Sequence, residues 1–281
     1  MLSFHSREAH GWLIHSTDAP MTFPAGEQHI KEHAGDNETP VCVRIDGTDM
    51  NEYASAAMWI DLQHQRGAQV TAAIPYLPGA RQDRGRPFGA KVYADLINAM
   101  HADRVVAVDP HSPVIVELID NLVVYPLARI VRRAVGKKYD GHWETPYVGV
   151  IAPDAGAVER AGDVAAALHL PLYKASKTRD FETGRLSGFQ CEDLPSEGRL
   201  LVVDDICDGG GTFRGLAEAT GLPKERLDLW VTHGVFSGAA DKLRDHFGRI
   251  HTTDSHPGHT REGVATHVYP LAPILIGESI K

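Results

Sequence analysis

The chain has 281 residues, 43% of them hydrophobic, and carries 28 Lys and Arg against 37 Asp and Glu, a net charge of −9. This length and composition exclude an intrinsically disordered chain and predict about two domains, at roughly 150 residues per domain. The acidic balance argues against a general nucleic-acid binder, and no apolar run reaches the length of a membrane span. The first residues lack a secretory-signal pattern, and three separated cysteines form neither a disulfide framework nor a zinc ribbon. We therefore expect a cytoplasmic protein with no nucleic-acid or membrane partner.

Short β-rich runs alternate with amphipathic helical segments along the chain. In the first series we predict strand 41–45, helix 51–65, strand 70–74, helix 89–100, strand 104–109 and helix 125–135. In the second series we predict strand 147–152, helix 155–168, strands 170–174 and 199–204, a helix from Thr212, strand 227–232 and helix 239–247. This alternation predicts an α/β fold with two domains, each a mainly parallel sheet flanked by helices. The polar segment 136–146 separates a first domain of residues 1–135, joined by 268–281, from a second of residues 146–267.

The most specific motif is LLVVDDICDGGGT, residues 200–212, in which an apolar strand leads to paired acids, three glycines and a helix. Glycines let backbone N–H groups converge on a phosphate at a helix N-terminus. Paired carboxylates can hold ribose hydroxyls or a hydrated Mg²⁺, and the third acid can position a sugar phosphate or act as a base. We therefore predict a sugar-phosphate site formed by Asp204, Asp205, Asp208, Gly209, Gly210, Gly211 and Thr212.

This loop resembles the phosphoribosyl-pyrophosphate loop that type I phosphoribosyltransferases share with ribose-phosphate pyrophosphokinases. The first half of the chain favours the pyrophosphokinases, because segment 72–97, which contains RQDR, and RVVAVDPHS at 104–112 are similar to segments of that family. The resemblance continues in the family's order through segments 23–30, 120–122, 152–161, 177–179 and 231–240. It implies two tandem phosphoribosyltransferase-like domains and a homo-oligomer, either a dimer or a hexamer.

The resemblance also implies an ATP site and a Mg²⁺ cofactor. The residues it assigns to ATP are Phe23, Glu27, Arg81, Gln82, Asp83 and His111. His111 and Asp154 match the family's metal residues, and an imidazole and a carboxylate are plausible partners of Mg²⁺-ATP. The remaining histidine group, His251, His256 and His259, fits no standard metal spacing, and we expect it in a solvated loop.

The polar stretch between Lys174 and Arg199 is long for a connection inside a compact domain, which predicts a lid. The family has a mobile catalytic loop at this place. Lys177 and Arg179 match its Lys-x-Arg, and two cations closing over a transferring phosphoryl group would neutralise the charge that develops in the transition state.

The resemblance implies a transferase that moves the β,γ-pyrophosphoryl group of ATP onto the C1 hydroxyl of ribose 5-phosphate. Two departures concern the substrates: Ala25 replaces the family's Asp or Asn near adenine, and Gly209 replaces a Thr that holds the 5-phosphate. The space at Gly209 leaves open ADP-ribose as the acceptor, in a reaction serving NAD metabolism. A catalytically silent regulatory subunit is disfavoured by the four residues Lys177, Arg179, His111 and Asp154. A plain phosphoribosyltransferase is disfavoured by the ATP-like first domain.

Overall fold

The strands and helices of the chain fall into two units. A computed structural model describes residues 2–7, 13–15, 18–32, 40–140, 142–179 and 186–279. The first unit comprises Met1–Tyr125 and Pro270–Lys281, and the second comprises Pro126–Tyr269. Within the described ranges, no helix has both the length and the apolar character needed to cross a bilayer.

The structure alternates strands and helices over most of its length. The strands are β1 Leu2–Arg7, β2 Leu13–His15, β3 Ala19–Thr22, β4 Gln28–Lys31, β5 Val41–Ile45, β6 Val70–Ala73, β7 Arg104–Val108, β8 Leu122–Tyr125, β9 Lys137–Tyr139, β10 His142–Glu144, β11 Tyr147–Ala152, β12 Leu172–Arg179, β13 Leu186–Cys191, β14 Arg199–Cys207, β15 Leu227–Gly234, β16 Arg249–Thr253 and β17 His267–Tyr269. The α-helices are α1 Met50–Gln65, α2 Gly89–Asn98, α3 Pro113–Leu118, α4 Leu127–Val135, α5 Val158–Leu168, α6 Gly211–Thr220 and α7 Ala272–Ser279. Short 3₁₀ helices cover Ala155–Ala157, Lys224–Arg226, Ala240–Asp245 and Pro257–Thr260.

The sheet of the first unit has the strand order β2-β1-β5-β6-β7-β8. Strands β5 to β8 are parallel, whereas β1 pairs antiparallel with both β2 and β5. Strands β3 and β4 form a separate antiparallel hairpin. Helix α1 covers the core with Trp59, which is fully buried and stacks on Phe4 at 4.7 Å between ring centroids. Strands β5, β6 and β7 were predicted from the sequence, and β8 and the four N-terminal strands were not.

The sheet of the second unit has the order β13-β12-β11-β14-β15-β16-β17. All neighbours are parallel except β12 and β13. Helix α4 packs against α5 of this unit, so the boundary lies before α4, at residue 126. Two mainly parallel sheets with flanking helices confirm the predicted fold class. Because the strands are parallel, the carboxyl ends of β11, β14 and β15 meet at one edge of the sheet.

Several element predictions differ from the structure. Tyr125, predicted as the start of a helix, is the last residue of strand β8, and the helix begins at Leu127. Strand β14 continues past Asp204 to Cys207, because its last residues keep pairing with β15. The segment predicted as helix 239–247 contains a 3₁₀ helix instead, in which the N–H of Lys242 bonds to the carbonyl three residues earlier, at Ala239. The polar stretch after Lys174 is not one long loop, since β12 and β13 pair as an antiparallel arm. Residues 180–185 lie outside the described ranges.

Candidate active site

The predicted phosphate loop joins the carboxyl end of β14 to the first residue of α6. Gly210 precedes the helix with φ +74°, a left-handed conformation that favours glycine. A Cβ at this position would meet the Leu243 side chain at 3.0 Å, whereas a Cβ at Gly209 would meet no described atom within 4 Å. Gly209 and Gly210 therefore have different structural roles. Gly210 is needed for the turn, and Gly209 leaves space above it.

Two adjacent acids follow the buried run Leu200–Val203 of β14. Asp204 Oδ1 accepts the N–H of Asp205 at 2.9 Å, and Asp205 Oδ1 accepts the N–H of Ile206 at 2.7 Å. Burial, followed by the negative charge of Asp205, raises the pKa of Asp204 well above its usual value. The charge of Asp154 acts in the same direction, which brings that carboxylate into the same electrostatic cluster.

Arg160 of α5 is a site residue that we did not predict. Its Nη2 lies 3.4 Å from Asp205 Oδ2, and its Nε lies 3.9 Å from Asp204 Oδ1. It stands in the first turn of a helix, where the helix dipole favours acids rather than bases. That unfavourable position is the sequence signal that could have identified it as a partner of nearby acids.

A second wall of the loop comes from the segment after β15. The Ser237 hydroxyl donates a hydrogen bond to Asp208 Oδ1. The N–H groups of Val235 and Phe236 bond to the carbonyl of Cys207 at 3.0 and 2.9 Å, which fixes this segment to the end of β14. Ser237 belongs to the VTHGVFSGAA segment of the resemblance, but we had assigned it no role. Its position restricts the orientation of Asp208.

Asp154 lies at the carboxyl end of β11, as its motif predicted. Its Oδ1 accepts the N–H groups of Gly156 and Ala157 at 2.9 and 3.2 Å and so caps a short 3₁₀ helix. In the part of the chain that the structure describes, no group of three or more His, Cys, Asp or Glu side chains could hold a metal by itself. A Mg²⁺ ion here would need oxygens from substrate phosphates and water in addition to the Asp154 carboxylate.

The first unit brings the RQDR segment and the segment of His111 together. A hydrogen bond from Ser112, then the charge of Arg84, lower the pKa of Asp83 against the opposing effect of burial. Ser112 also caps α3 by accepting the N–H of Val114 at 3.2 Å. His111 itself is exposed. The carboxyl ends of β6 and β7 thus share a polar surface, as expected for an ATP site in a parallel sheet.

The other predicted ATP residues lie in two separate places, the loop after β6 and the turn between β3 and β4. Gln82 is exposed, and its side chain lies against Gly89, where an added Cβ would lie 2.0 Å from its Oε1. Phe23 is 42% exposed in the turn between β3 and β4 and faces the ring of His29 at 5.4 Å. Arg81 and Glu27 are exposed.

Two further groups of residues were singled out from the sequence, the predicted catalytic cations and the histidine group. Lys177 and Arg179 fall within the range of β12, but their side chains lie outside what the structure describes.

The expectation of a solvated histidine loop is wrong for His251, which is buried in β16 because its ring packs against Trp230 and Tyr269. His256 and His259 are half-buried around the 3₁₀ helix Pro257–Thr260.

Comparison with known proteins identifies the family. Residues 124–221, which include the phosphate loop, match the phosphoribosyl transferase domain family. A ribose-phosphate pyrophosphokinase from Corynebacterium efficiens is 33% identical over 236 residues, which cover 76% of this chain and 68% of that protein. One from Hyphomonas neptunium is 32% identical over 237 residues, covering 78% and 72%. The chain belongs to the ribose-phosphate pyrophosphokinase family.

Membership in the ribose-phosphate pyrophosphokinase family makes the chain a transferase and accounts for its tandem architecture. The crystal structure of phosphoribosylpyrophosphate synthetase from Mycobacterium smegmatis is similar over 94% of this chain and 89% of that one, with a TM-score of 0.75 at 25% identity. The predicted resemblance is thereby confirmed. The family also explains why the phosphate loop occurs together with a first unit that simple phosphoribosyltransferases lack.

Proposed function

We propose that this pyrophosphokinase transfers the β,γ-pyrophosphoryl group of ATP to the C1 hydroxyl of ribose 5-phosphate, giving AMP and phosphoribosyl pyrophosphate. One observation carries the proposal. Strand β14 brings the acid pair Asp204 and Asp205 to the sheet edge where Gly210 turns the chain into the N-terminus of α6. Carboxylates suit ribose hydroxyls, and helix N-terminal N–H groups suit the 5-phosphate.

The reaction needs no covalent enzyme intermediate. The C1 oxygen attacks the β-phosphorus of ATP, the bond from that phosphorus to the oxygen bridging to the α-phosphorus breaks, and AMP leaves with the bridging oxygen. The hydroxyl proton passes to solvent or to a nearby base. Positioning and charge neutralisation supply the catalysis. We assign the charge neutralisation to Lys177 and Arg179.

The ATP and metal assignments extend the same proposal. The residues assigned to ATP are Phe23, Glu27, Arg81, Gln82, Asp83 and His111. Asp154 and His111 are the protein groups assigned to Mg²⁺, whose charge offsets that of the phosphates. A carboxylate oxygen fits this hard cation, which usually keeps several waters and binds substrate phosphates, so few protein ligands are required.

ADP-ribose is the second candidate acceptor, because of the space at Gly209. A Cβ there meets no described atom within 4 Å, so the loop leaves room for a phosphate that continues into a larger group. Incubation with ATP and Mg²⁺ and either ribose 5-phosphate or ADP-ribose tests both candidates. A higher kcat/KM for ribose 5-phosphate supports the main proposal, and a clearly higher value for ADP-ribose replaces the acceptor while keeping the chemistry.

A further inference from the structure

The second unit contains a cleft of about 490 Å³ that the proposed reaction does not use. Its lining includes Tyr147, Arg249 and His267, which are the first residues of β11, β16 and β17. The acid pair and phosphate loop follow the carboxyl end of β14. Because these strands are parallel, the cleft lies toward the opposite edge of the sheet from the phosphate loop.

The lining of this cleft includes Arg249. The side chain of Arg249 makes no ion pair or hydrogen bond with any residue that the structure describes. It lines the cleft together with Tyr147 and Tyr269, and its charge lowers the pKa of both tyrosines against the larger effect of burial. The nearby carboxylate of Asp228 already accepts hydrogen bonds from Arg199 and from Tyr147. Arg249 is thus a planar cation in the lining of the cleft, and no described carboxylate forms an ion pair with it.

A ladder of stacked aromatic rings, Trp230, Tyr269, His251 and His267, lies beside the same cleft. Trp230 stacks with Tyr269 at 5.5 Å, and His251 stacks with His267 at 4.9 Å between ring centroids. Burial, then the charges of His267 and Arg249, lower the pKa of His251 to about 3, so this ring is neutral near pH 7. His267 is exposed, and it ends the ladder at the cleft. A planar ligand could continue the stacking there.

The third feature of the cleft is a buried hydroxyl group in its lining. Thr145 lines the cleft, and its Oγ1 is buried without a hydrogen-bond partner among the described residues. Leaving such a group unsatisfied is unfavourable for folding, and functional sites are one place where the cost is tolerated. A ligand oxygen in the cleft would satisfy it.

We propose that this cleft binds a small planar aromatic anion, with its carboxylate or phosphate on Arg249 and its ring against His267. Guanidinium groups bind both oxyanions through paired hydrogen bonds. The cleft is lined by two basic side chains, Lys137 and Arg249, and by one acidic side chain, Glu144. The lining therefore carries more positive than negative charge, although the net charge of the chain is −9. The volume falls within the range of small-molecule sites, roughly 300–1,000 Å³. This site is independent of the proposed pyrophosphoryl transfer.

The probes separate the ring from the anion. Phenyl phosphate and benzoate carry both, phenol carries only the ring, and inorganic phosphate carries only the anion. The 281-residue protein, labelled with ¹⁵N-histidine, is titrated with each probe while the ring resonances of His267 are followed by NMR. The resonances are assigned with His267→Gln. This local readout separates binding in the cleft from binding at the phosphate loop. We expect saturable shifts with phenyl phosphate or benzoate, and the tighter of the two identifies the oxyanion.

Variants test the named contacts. Arg249→Gln should weaken binding of the better probe at least tenfold, and Thr145→Val should weaken it several-fold. Arg104→Gln, at the exposed first residue of β7 in the other unit, is the matched control and should leave the Kd within twofold. Unchanged thermal unfolding temperatures verify that each variant is folded. The proposal is overturned if neither ring-bearing anion shifts His267, if Arg249→Gln leaves the Kd unchanged, or if phenol or inorganic phosphate alone binds as tightly.

Discussion

Arg160 and Asp205 form an ion pair across neighbouring elements, with 3.4 Å between Nη2 and Oδ2. The guanidinium also lies 3.9 Å from Asp204, so one cation serves both acids of the proposed ribose site. Two adjacent carboxylates repel each other when both are ionised, and this cation offsets the repulsion. The pair therefore links α5 to the chemistry at the end of β14.

Arg160→Ala should lower kcat/KM for the acceptor at least tenfold, mainly through a higher KM. Loss of the cation favours protonation of the acid pair, so the acidic limb of the pH profile of kcat/KM should move to higher pH. Arg160→Lys should recover part of the loss. Glu159→Gln, an exposed neighbour on the same helix, is the control. An unchanged pH profile in Arg160→Ala would contradict this role.

Gly210→Ala and Gly209→Ala form a matched pair within the phosphate loop. The first should destabilise the protein by about 1–2 kcal/mol, because alanine at φ +74° is strained and its Cβ would contact Leu243. The second should be nearly neutral, since its Cβ meets no described atom within 4 Å. Denaturant unfolding measures both changes. Equal effects would mean that the turn does not depend on glycine at position 210.

Gly209→Thr distinguishes the two candidate acceptors. The added hydroxyl should leave the KM for ribose 5-phosphate unchanged or lower it, because it can donate to the 5-phosphate. It should impair ADP-ribose selectively, since the side chain would occupy the space needed by the second phosphate. Steady-state kinetics with each acceptor test this expectation. Equal effects on both acceptors would show that Gly209 does not select between them.

Protonation of His251 should destabilise the protein as the pH falls. Its pKa is about 3 when folded, against 6.5 as the ordinary value, so the unfolded chain binds the proton more readily. The stabilisation is present above pH 6.5 and is progressively lost below it, by about 2 kcal/mol between pH 7 and pH 5. His251→Gln should remove this part of the pH dependence, measured by unfolding at the two pH values. The exposed His29→Gln is the control and should retain the wild-type dependence.

Lys177→Ala should lower kcat by orders of magnitude and leave the KM for the acceptor nearly unchanged, because its charge acts mainly in the transition state. Lys174→Ala changes an exposed lysine on the same strand and should have a small effect. Rapid-quench measurement of AMP formation gives the rate of the chemical step. Near-wild-type turnover would remove Lys177 from the mechanism.

Local patterns predicted the elements that carry the site. The apolar run before Asp204 marked β14, and the glycines marked the turn into α6, because both depend on neighbouring residues in the chain. The hydrophobic pattern likewise predicted the central parallel strands of both units, but not β8, β16 or β17. The short N-terminal strands have no comparable pattern, and β1 is defined by its pairing with β5 far along the chain.

The site residues that the sequence did not predict are those whose partners are distant along the chain. Arg160 meets Asp205 because β11 and β14 are neighbours in the sheet, and Ser237 meets Asp208 because the segment after β15 returns over the loop. Neither pairing follows from spacing. The burial of His251 was missed for the same reason, since its stacking partners come from β15 and β17.

The most direct measurement is product analysis after incubation of the protein with ATP, Mg²⁺ and ribose 5-phosphate. Pyrophosphoryl transfer predicts AMP and a 1-pyrophosphorylated sugar in equal amounts, resolved by mass spectrometry, with loss of both when the metal is chelated by EDTA and recovery when Mg²⁺ is restored. Formation of ADP and a sugar monophosphorylated at C1 would contradict the proposed attack at the β-phosphorus. Absence of AMP with both ribose 5-phosphate and ADP-ribose would contradict the proposed function.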